Sequence, residues 1–316
     1  SIDYANGTIR LDGKEYKLLD SNFPTIDPDN PYELSSEEAL VVERLTSAFT
    51  NCEKLQRHMN LLLKKGSLYK VHNNNLLYHG CIPLNEDGSF KAVDIYGKKY
   101  KGKALYEVLE AYVRKAFVAI DENEKEKGKD ILWFIWSSPG SPLFGKQKMA
   151  TFERYFLAEK ETHEEKKNPY YRLLEDETVI NRIMREFGLE EGCAHIVNGH
   201  VPVHHAAGES PIKCNGKVLV IDGGFSKAYQ KETGIAGYTL IYNSWGMILA
   251  AHEPFTSAED AITRETDILS DSILVKRSVM RKTVEDTDNG RKLKENIEEL
   301  KALLAAYRSG TIIEKE

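Results

Sequence analysis

The chain has 316 residues, of which 41% are hydrophobic and 29% are charged, and this length can bury the core of one large domain or two ordinary ones. The formal net charge of -6 argues against binding to nucleic acid or to an anionic membrane surface, and no apolar run approaches the roughly 18 residues of a membrane span. The four cysteines lack the paired spacing of a zinc ribbon or a disulfide framework, so a reducing cytoplasm is the expected compartment.

The spacing of apolar residues, and the positions of glycine and proline between the apolar segments, predict short strands interspersed with helices. In chain order the expected elements are a hairpin from Thr8 to Leu18 around Asp12-Gly13, one long helix from Ser35 to Gly66, a strand at Leu76 to Tyr78, a helix from Leu105 to Ile120, a charged loop from Asp121 to Lys129, a strand from Ile131 to Trp136, a rigid loop from Ser137 to Pro142, a helix from Glu177 to Phe187, strands at Ala194 to Val197, Val218 to Asp222, Tyr238 to Asn243 and Met247 to Ala251, and a helical tail from Ala258 to Arg308 broken near Asp288-Asn289-Gly290.

These elements suggest three regions. Residues 1–34 form a hairpin and connector, residues 35–255 form the main body with helical insertions, and residues 256–316 form a helical tail. The chain begins at Ser1 without a methionine and enters directly into structured sequence. We therefore expect it to be a piece of a longer protein.

Two histidines each follow a predicted strand at a glycine-containing turn. His79 lies within Tyr78 to Cys81, and His200 lies within Asn198 to Pro202. A divalent cation needs neutral imidazoles held by rigid backbone at converging strand ends, so we predict both as metal ligands. A core histidine bonded to a backbone carbonyl is the alternative for each.

Five other histidines carry weaker signals. His204 and His205 follow the second motif closely and could reach a metal, although a solvated loop is favoured. His195 is expected in the core, His163 on a charged and solvated helix face, and His252 is left open.

The loop Trp136-Ser137-Ser138-Pro139 lies between the two histidine motifs. A His-Gly strand end, a Trp-Ser-x-Pro loop and a Gly-His strand end in this order resemble the calcineurin-like metallophosphatases. Over essentially its whole length, the chain more closely resembles the class III fructose-1,6-bisphosphatases of bacteria. The segments that carry this closer resemblance are Trp136 to Tyr171, Asn198 to Pro202, Ser210 to Lys213 and Ile221 to Tyr242.

The resemblance implies a fold, a reaction and a cofactor. It implies an α+β fold, the four-layer αββα metallophosphatase sandwich, to which this chain contributes the second sheet plus inserted and C-terminal helices. The implied reaction is hydrolysis of fructose 1,6-bisphosphate to fructose 6-phosphate and phosphate in gluconeogenesis, at a two-metal site that holds manganese or a similar divalent ion. His79 and His200 match histidine ligands of the second metal.

The chain departs from the family pattern at its start. The motifs Asp-x-His, Gly-Asp-x-x-Asp and Gly-Asn-His-Asp, which supply the carboxylates and the leaving-group acid, are absent between Ser1 and Tyr78. Two imidazoles alone do not compensate the charge of hard divalent ions. We therefore expect this chain to be a C-terminal half that contains no catalytic acid, is inactive alone and works together with an N-terminal half.

Substrate phosphates need cationic side chains near these loops. The resemblance raises Lys146, Arg154, Lys213 and Lys227 as candidates, with Tyr229 for the sugar, against the alternative of ordinary surface residues. Another metallophosphatase, acting on phosphoproteins or dinucleotide polyphosphates, remains open, as does an inactive regulatory subunit. Metal identity, homo-oligomerisation and allosteric regulation stay open as well.

Overall fold

The computed structural model describes residues 2–190, 192–224, 226–254, 257–265 and 270–313, without the side chains of residues 227, 228 and 270. Within those ranges no helix has the length and apolar character needed to span a bilayer. In chain order the elements are β1 (Ile2–Asp3), β2 (Thr8–Leu11), β3 (Lys14–Lys17), α1 (Ser36–Thr50), α2 (Glu53–Lys65), β4 (Tyr69–His72), β5 (Asn75–Tyr78), β6 (Val93–Ile95), β7 (Lys98–Tyr100), α3 (Gly102–Val118), α4 (Glu122–Ser137), α5 (Thr151–Phe156), α6 (Glu177–Glu186), β8 (His195–Asn198), β9 (Ile212–Lys213), β10 (Val218–Val220), α7 (Lys227–Thr233), β11 (Gly237–Asn243), β12 (Gly246–His252), α8 (Ala258–Arg264), β13 (Ser270–Arg277) and α9 (Asp288–Arg308).

The chain divides into two compact units, and both are assembled from more than one stretch of sequence. The first unit comprises Ser1–Leu68, Pro83–Glu86 and Phe90–Tyr171, and the second comprises Tyr69–Ile82, Asp87–Ser89 and Arg172–Glu316. The mixture of helices and sheets agrees with the predicted class. The sandwich architecture and the three predicted regions stay predictions, and the predicted boundary at residues 255 and 256 lies outside the described ranges.

The first unit begins with the predicted hairpin. β2 and β3 pair antiparallel, with Leu11 opposite Lys14 across the turn. Asp12 and Gly13 adopt φ values of 48° and 80°, the left-handed conformation that a two-residue type I′ turn requires. Leu18 packs with Ile9 and Leu157 in a small core beneath this sheet. The hairpin prediction is confirmed.

The predicted long helix is two helices. Ser35 caps α1 with the expected capping box, because its side chain accepts from Glu38 N while the Glu38 carboxylate accepts from Ser35 N. The helix nevertheless ends at Thr50, whose hydroxyl donates to the carbonyl of Thr46. Polar side chains that bond the local backbone compete with helix continuation, which accounts for the break that apolar spacing alone did not reveal.

The predicted strand from Ile131 to Trp136 is wrong, because this segment is the second half of α4. Asp121 caps the helix through Glu124 N, so the residues predicted as a charged loop form its first turns. A six-residue apolar run has no period of its own and fits a helix as well as a strand. The core of this unit is built from Val93, Ile95, Leu105, Leu109, Ile131 and Ile135.

The second unit is built around a five-stranded sheet in the order β4-β5-β8-β10-β9. Its three central strands, β5, β8 and β10, run parallel, and the outer two are antiparallel to their neighbours. Val197 and Leu219 of this sheet pack with Met247 of the three-stranded sheet β11-β12-β13. Two sheets therefore share one apolar core in this unit.

The helical tail is predicted only in part. Residues 266–269 lie outside the described ranges, and Ser270–Arg277 forms β13, which pairs antiparallel with β12. Its strand conformation depends on this distant partner, so local periodicity does not reveal it. Gly290 lies in the first turn of α9 and does not break a helix, because Thr287 caps α9 by accepting from Gly290 N.

Candidate functional site

Three parallel strands bring chemically active residues to one sheet edge. Leu77 of β5 lies opposite Val197 of β8, and Val220 of β10 lies opposite Asn198. Parallel strands end at the same edge, and ligand sites of open α/β sheets form beyond these carboxyl ends. The residues that follow the three strands are His79, then Gly199 and His200, then Ile221 and Asp222.

The two predicted metal ligands are in contact at this edge. His79 Nε2 lies 3.1 Å from His200 Nδ1, and the rings meet edge to face with centroids 5.0 Å apart. Two nitrogens that far apart, each about 2.1 Å from a shared ion, would subtend roughly 95° at it. The two nitrogens lie at hydrogen-bond distance from each other, and their separation also suits neighbouring ligands of one octahedral or tetrahedral cation.

Backbone hydrogen bonds fix the turn that carries His200. Gly199 N donates to the carbonyl of His79 at 3.0 Å, which joins the two histidine turns directly. Val201 N donates back to Gly199 O at 2.9 Å across His200, whose φ is +70°. This bond and this φ define a classic γ-turn, a strained conformation that persists only where the surroundings impose it.

Asp222 lies beside Gly199, the residue before His200, although the sequence suggested only a tight turn for it. A Cβ added to Gly199 would lie 3.8 Å from both Asp222 Oδ2 and the carbonyl oxygen of His79. The Asp222 carboxylate also accepts from Gly224 N at 2.9 Å, as the turn interpretation requires. Asp222 follows a predicted strand just as His79 and His200 do, and this position could have identified it as a candidate site residue.

The described residues contain no group of three or more His, Cys, Asp or Glu side chains placed to hold a metal. The two imidazoles fit a cation in geometry, but they bring no negative charge to balance it. Within the described part of the chain, the two histidines are therefore not sufficient by themselves to hold a hard divalent cation.

Three substrate-binding candidates lie in the same unit as the histidines. Lys213 Nζ pairs with Glu209 Oε1 at 2.9 Å. Burial alone would raise the pKa of Glu209, but bonds from His204 N and Lys213 outweigh it and hold the pKa below its ordinary value. Tyr229 is half exposed, and its Cβ lies 2.7 Å from where a Gly224 Cβ would be. The side chain of Lys227 lies outside the described part.

Lys146 and Arg154 belong to the first unit and share one carboxylate. Glu165 Oε2 lies 2.6 Å from Lys146 Nζ, and Glu165 Oε1 lies 3.4 Å from Arg154 Nη2. Glu165 Oε1 also accepts a hydrogen bond from Ala150 N at 2.9 Å. Burial alone would raise the pKa of Glu165, but the Lys146 bond and the Ala150 bond lower it further than burial raises it. Both cations are thus already partly neutralised within their unit.

Of the four other histidines with a favoured interpretation, three agree with it, and His252 had been left open. His195 is buried in β8 and belongs to the core, while His204 and His205 are exposed in a loop. His252 Nε2 lies 2.8 Å from the Thr239 hydroxyl at the strand end. His163 is half-buried in a 3-10 turn with Nε2 3.0 Å from the Leu157 carbonyl, so the predicted solvated helix face is wrong.

Comparison with known proteins gives one family. A model described as Firmicute fructose-1,6-bisphosphatase matches residues 1–309. The chain is similar to the fructose-1,6-bisphosphatase class 3 of Listeria monocytogenes serotype 4b (strain CLIP80459), at 55% identity over 99% of this chain and 48% of the relative. It is also similar to the protein of that name from Clostridioides difficile (strain 630), at 57% identity over 99% of this chain and 48% of the relative. The chain thus spans about half the length of these relatives. No solved structure matches it.

Proposed function

The chain belongs to the Firmicute fructose-1,6-bisphosphatase family, and we propose that it provides one half of a two-metal site that hydrolyses the 1-phosphate of fructose 1,6-bisphosphate. The observation that carries the proposal is the contact between His79 Nε2 and His200 Nδ1, 3.1 Å apart at the carboxyl edge of a parallel sheet. We further propose membership of the calcineurin-like superfamily, with its αββα sandwich, and a cytoplasmic role in gluconeogenesis.

A divalent pair, which we propose to be Mn²⁺, supplies Lewis-acid charge and a nucleophilic water for phosphate ester hydrolysis. In this chain, His79 and His200 would supply imidazole nitrogens to one of the two ions. The γ-turn at His200 restricts the direction of its imidazole, which lowers the entropy lost when the site assembles. The carboxylates and the leaving-group acid are proposed to come from an N-terminal half.

The cationic side chains are proposed to bind the phosphate groups. Lys213 is a candidate for this role, because the Glu209 carboxylate that pairs with it also accepts a hydrogen bond from His204 N. The carboxylate therefore neutralises the lysine charge only in part. Lys146 and Arg154 share Glu165, so their combined charge leaves about one positive charge for a phosphate oxygen. Lys227 and Tyr229 are proposed contacts at the start of α7.

The test measures phosphate release by the full-length protein with Mn²⁺ on three substrates: fructose 1,6-bisphosphate, a phosphopeptide and a diadenosine polyphosphate. We expect activity on the first substrate, with a loss of at least about 100-fold in His200→Ala because the variant lacks a metal ligand. His204→Ala, on the exposed loop nearby, is the matched control and should keep its activity. Preference for either of the other substrates would assign a different metallophosphatase, and no activity on any would favour a regulatory subunit.

A further inference from the structure

Asn198 is a polar residue in an apolar position. It is the last residue of β8 and only 2% exposed, so both atoms of its amide are removed from water. Burial of an amide costs free energy unless its atoms form hydrogen bonds. Nδ2 donates to the carbonyl of Gly80 at 3.2 Å, whereas Oδ1 has no partner among the described residues. An apolar side chain would fill this position without leaving an acceptor unpaired.

The bond made by this amide links the two histidine turns. Asn198 lies two residues before His200, and Gly80 directly follows His79. Two further direct links between these turns are the backbone bond from Gly199 N to His79 O and the contact of the two rings. Asn198 therefore provides a side-chain link that lies outside the imidazoles themselves and that a substitution can remove.

The imidazole of His200 needs such a link. Its φ of +70° is strained for a residue with a Cβ, so the turn relaxes when its surroundings loosen. The main chain of Asn198 is itself fixed by the bond from Ile221 N to Asn198 O at 2.9 Å. The side chain thus connects a residue fixed in the sheet to the carbonyl of Gly80, which directly follows His79.

We propose that Asn198 is a positioning residue that sets the separation and direction of the His79 and His200 nitrogens. The inference rests on the proposed function, in which the pair holds a divalent ion. Groups that orient metal ligands without touching the metal typically contribute about 10- to 100-fold to metal affinity. Asn198 belongs to this class if its amide acts on the histidines, and to ordinary core packing if it does not.

The same sheet contains a matched control for a purely structural role. Asn75 in β5 is also buried, at 7% exposed, and its Nδ2 also donates to backbone carbonyls, those of His72 and Asn73. Its Oδ1 is likewise without a described partner. Asn75 begins β5, whereas His79 follows the end of that strand, so its amide bonds do not involve the histidine turns.

The experiment compares Asn198→Leu with Asn75→Leu in the full-length protein. Mn²⁺ binding is titrated by electron paramagnetic resonance, and the ¹⁵N signals of the histidine rings are recorded without metal. We expect Asn198→Leu to weaken Mn²⁺ binding about 10- to 100-fold and to shift the His79 and His200 signals. Asn75→Leu should leave both readouts at the wild-type values. If Asn198→Leu does not fold, Asn198→Thr, which suits a strand and lacks the amide, takes its place.

Two outcomes overturn the proposal. Equal Mn²⁺ affinity in the two leucine variants, with the wild-type protein binding normally, assigns Asn198 to packing alone. If the wild type itself binds no Mn²⁺ and releases no phosphate, the proposed function fails, and the ring signals decide on Asn198 independently. Shifts confined to the Asn198 variant then support positioning, and unshifted His79 and His200 signals contradict it.

Discussion

His195 and His200 lie five residues apart in the chain, yet their surroundings give them opposite properties. His195 begins β8, where burial, followed by the charges of Lys276 and Lys282, lowers its pKa from 6.5 to about 4. His200 lies beyond the same strand in a strained turn against a second imidazole. The strand therefore carries a neutral core histidine at one end and a metal-ligand candidate at the other.

His195 predicts a specific dependence of stability on pH. Its pKa is lower in the folded protein than in the unfolded chain, so the unfolded state binds more protons between these values. The contribution of neutral His195 to the free energy of unfolding is fully present above pH 6.5 and is lost as the pH falls toward about 4. Its upper limit is about 3 kcal/mol. Urea unfolding across this interval should show a shallower fall in unfolding free energy for His195→Gln than for the wild type.

The matched control for this measurement is His58→Gln on the exposed surface of α2. This variant makes the same substitution at an exposed position, so a change in pH dependence that appears only in His195→Gln is assigned to the buried site. Identical curves for His195→Gln and the wild type would mean that His195 is not neutral and desolvated in the core.

At the scale of elements, the sequence correctly predicts those turns and helix ends whose conformation depends on hydrogen bonds between nearby residues. The turn at Asp12-Gly13 and the capping box of Ser35 depend on neighbours within a few residues, and both are confirmed. The conformations of Ile131 to Trp136 and of β13 depend on distant packing, and both were predicted wrongly. The same limit applies at the site. His79 and His200 were recognised at strand ends, but the bond of Asn198 to a carbonyl 118 residues away has no local signature.

Two packed helices in the first unit give a prediction at this scale. A Cβ added to Gly128 of α4 would lie 2.0 Å from Ala116 Cβ of α3, so the glycine permits the close approach of the helices. Gly128→Ala gains about 1 kcal/mol of helix propensity, but overpacking typically costs about 1–3 kcal/mol. Because two Cβ atoms would meet at 2.0 Å, the overpacking cost should lie in the upper half of that range, which leaves a net loss of about 1–2 kcal/mol in the free energy of unfolding, measured by denaturant titration.

The reciprocal change provides the control. Ala116→Gly combined with Gly128→Ala returns one methyl group to the space that held one, so the double variant should recover most of the loss. An unchanged or higher stability of Gly128→Ala alone would show that the helices separate without cost.

At the scale of the whole molecule, the chain spans about half the length of its relatives and leaves apolar helix faces exposed. No residue of α1 is buried, and Leu45 and Phe49 are 56% and 65% exposed. Amphipathic helices normally bury their apolar stripe, and contiguous exposed apolar surface marks contact sites. These faces agree with the proposal that an N-terminal half completes the protein, since the described residues also contain no group of three or more His, Cys, Asp or Glu side chains that could hold a metal.

This proposal predicts the behaviour of the separated halves. The purified 316-residue chain should release no phosphate from fructose 1,6-bisphosphate with Mn²⁺, because two neutral imidazoles neither balance nor bridge two divalent ions. Addition of the N-terminal half as a separate polypeptide should restore hydrolysis, whereas the same mixture made with His200→Ala should stay inactive. Circular dichroism of the 316-residue chain distinguishes an incomplete site from an unfolded protein. Strong metal-dependent hydrolysis by that chain alone would contradict the two-half site, because all ligands would then have to lie within it.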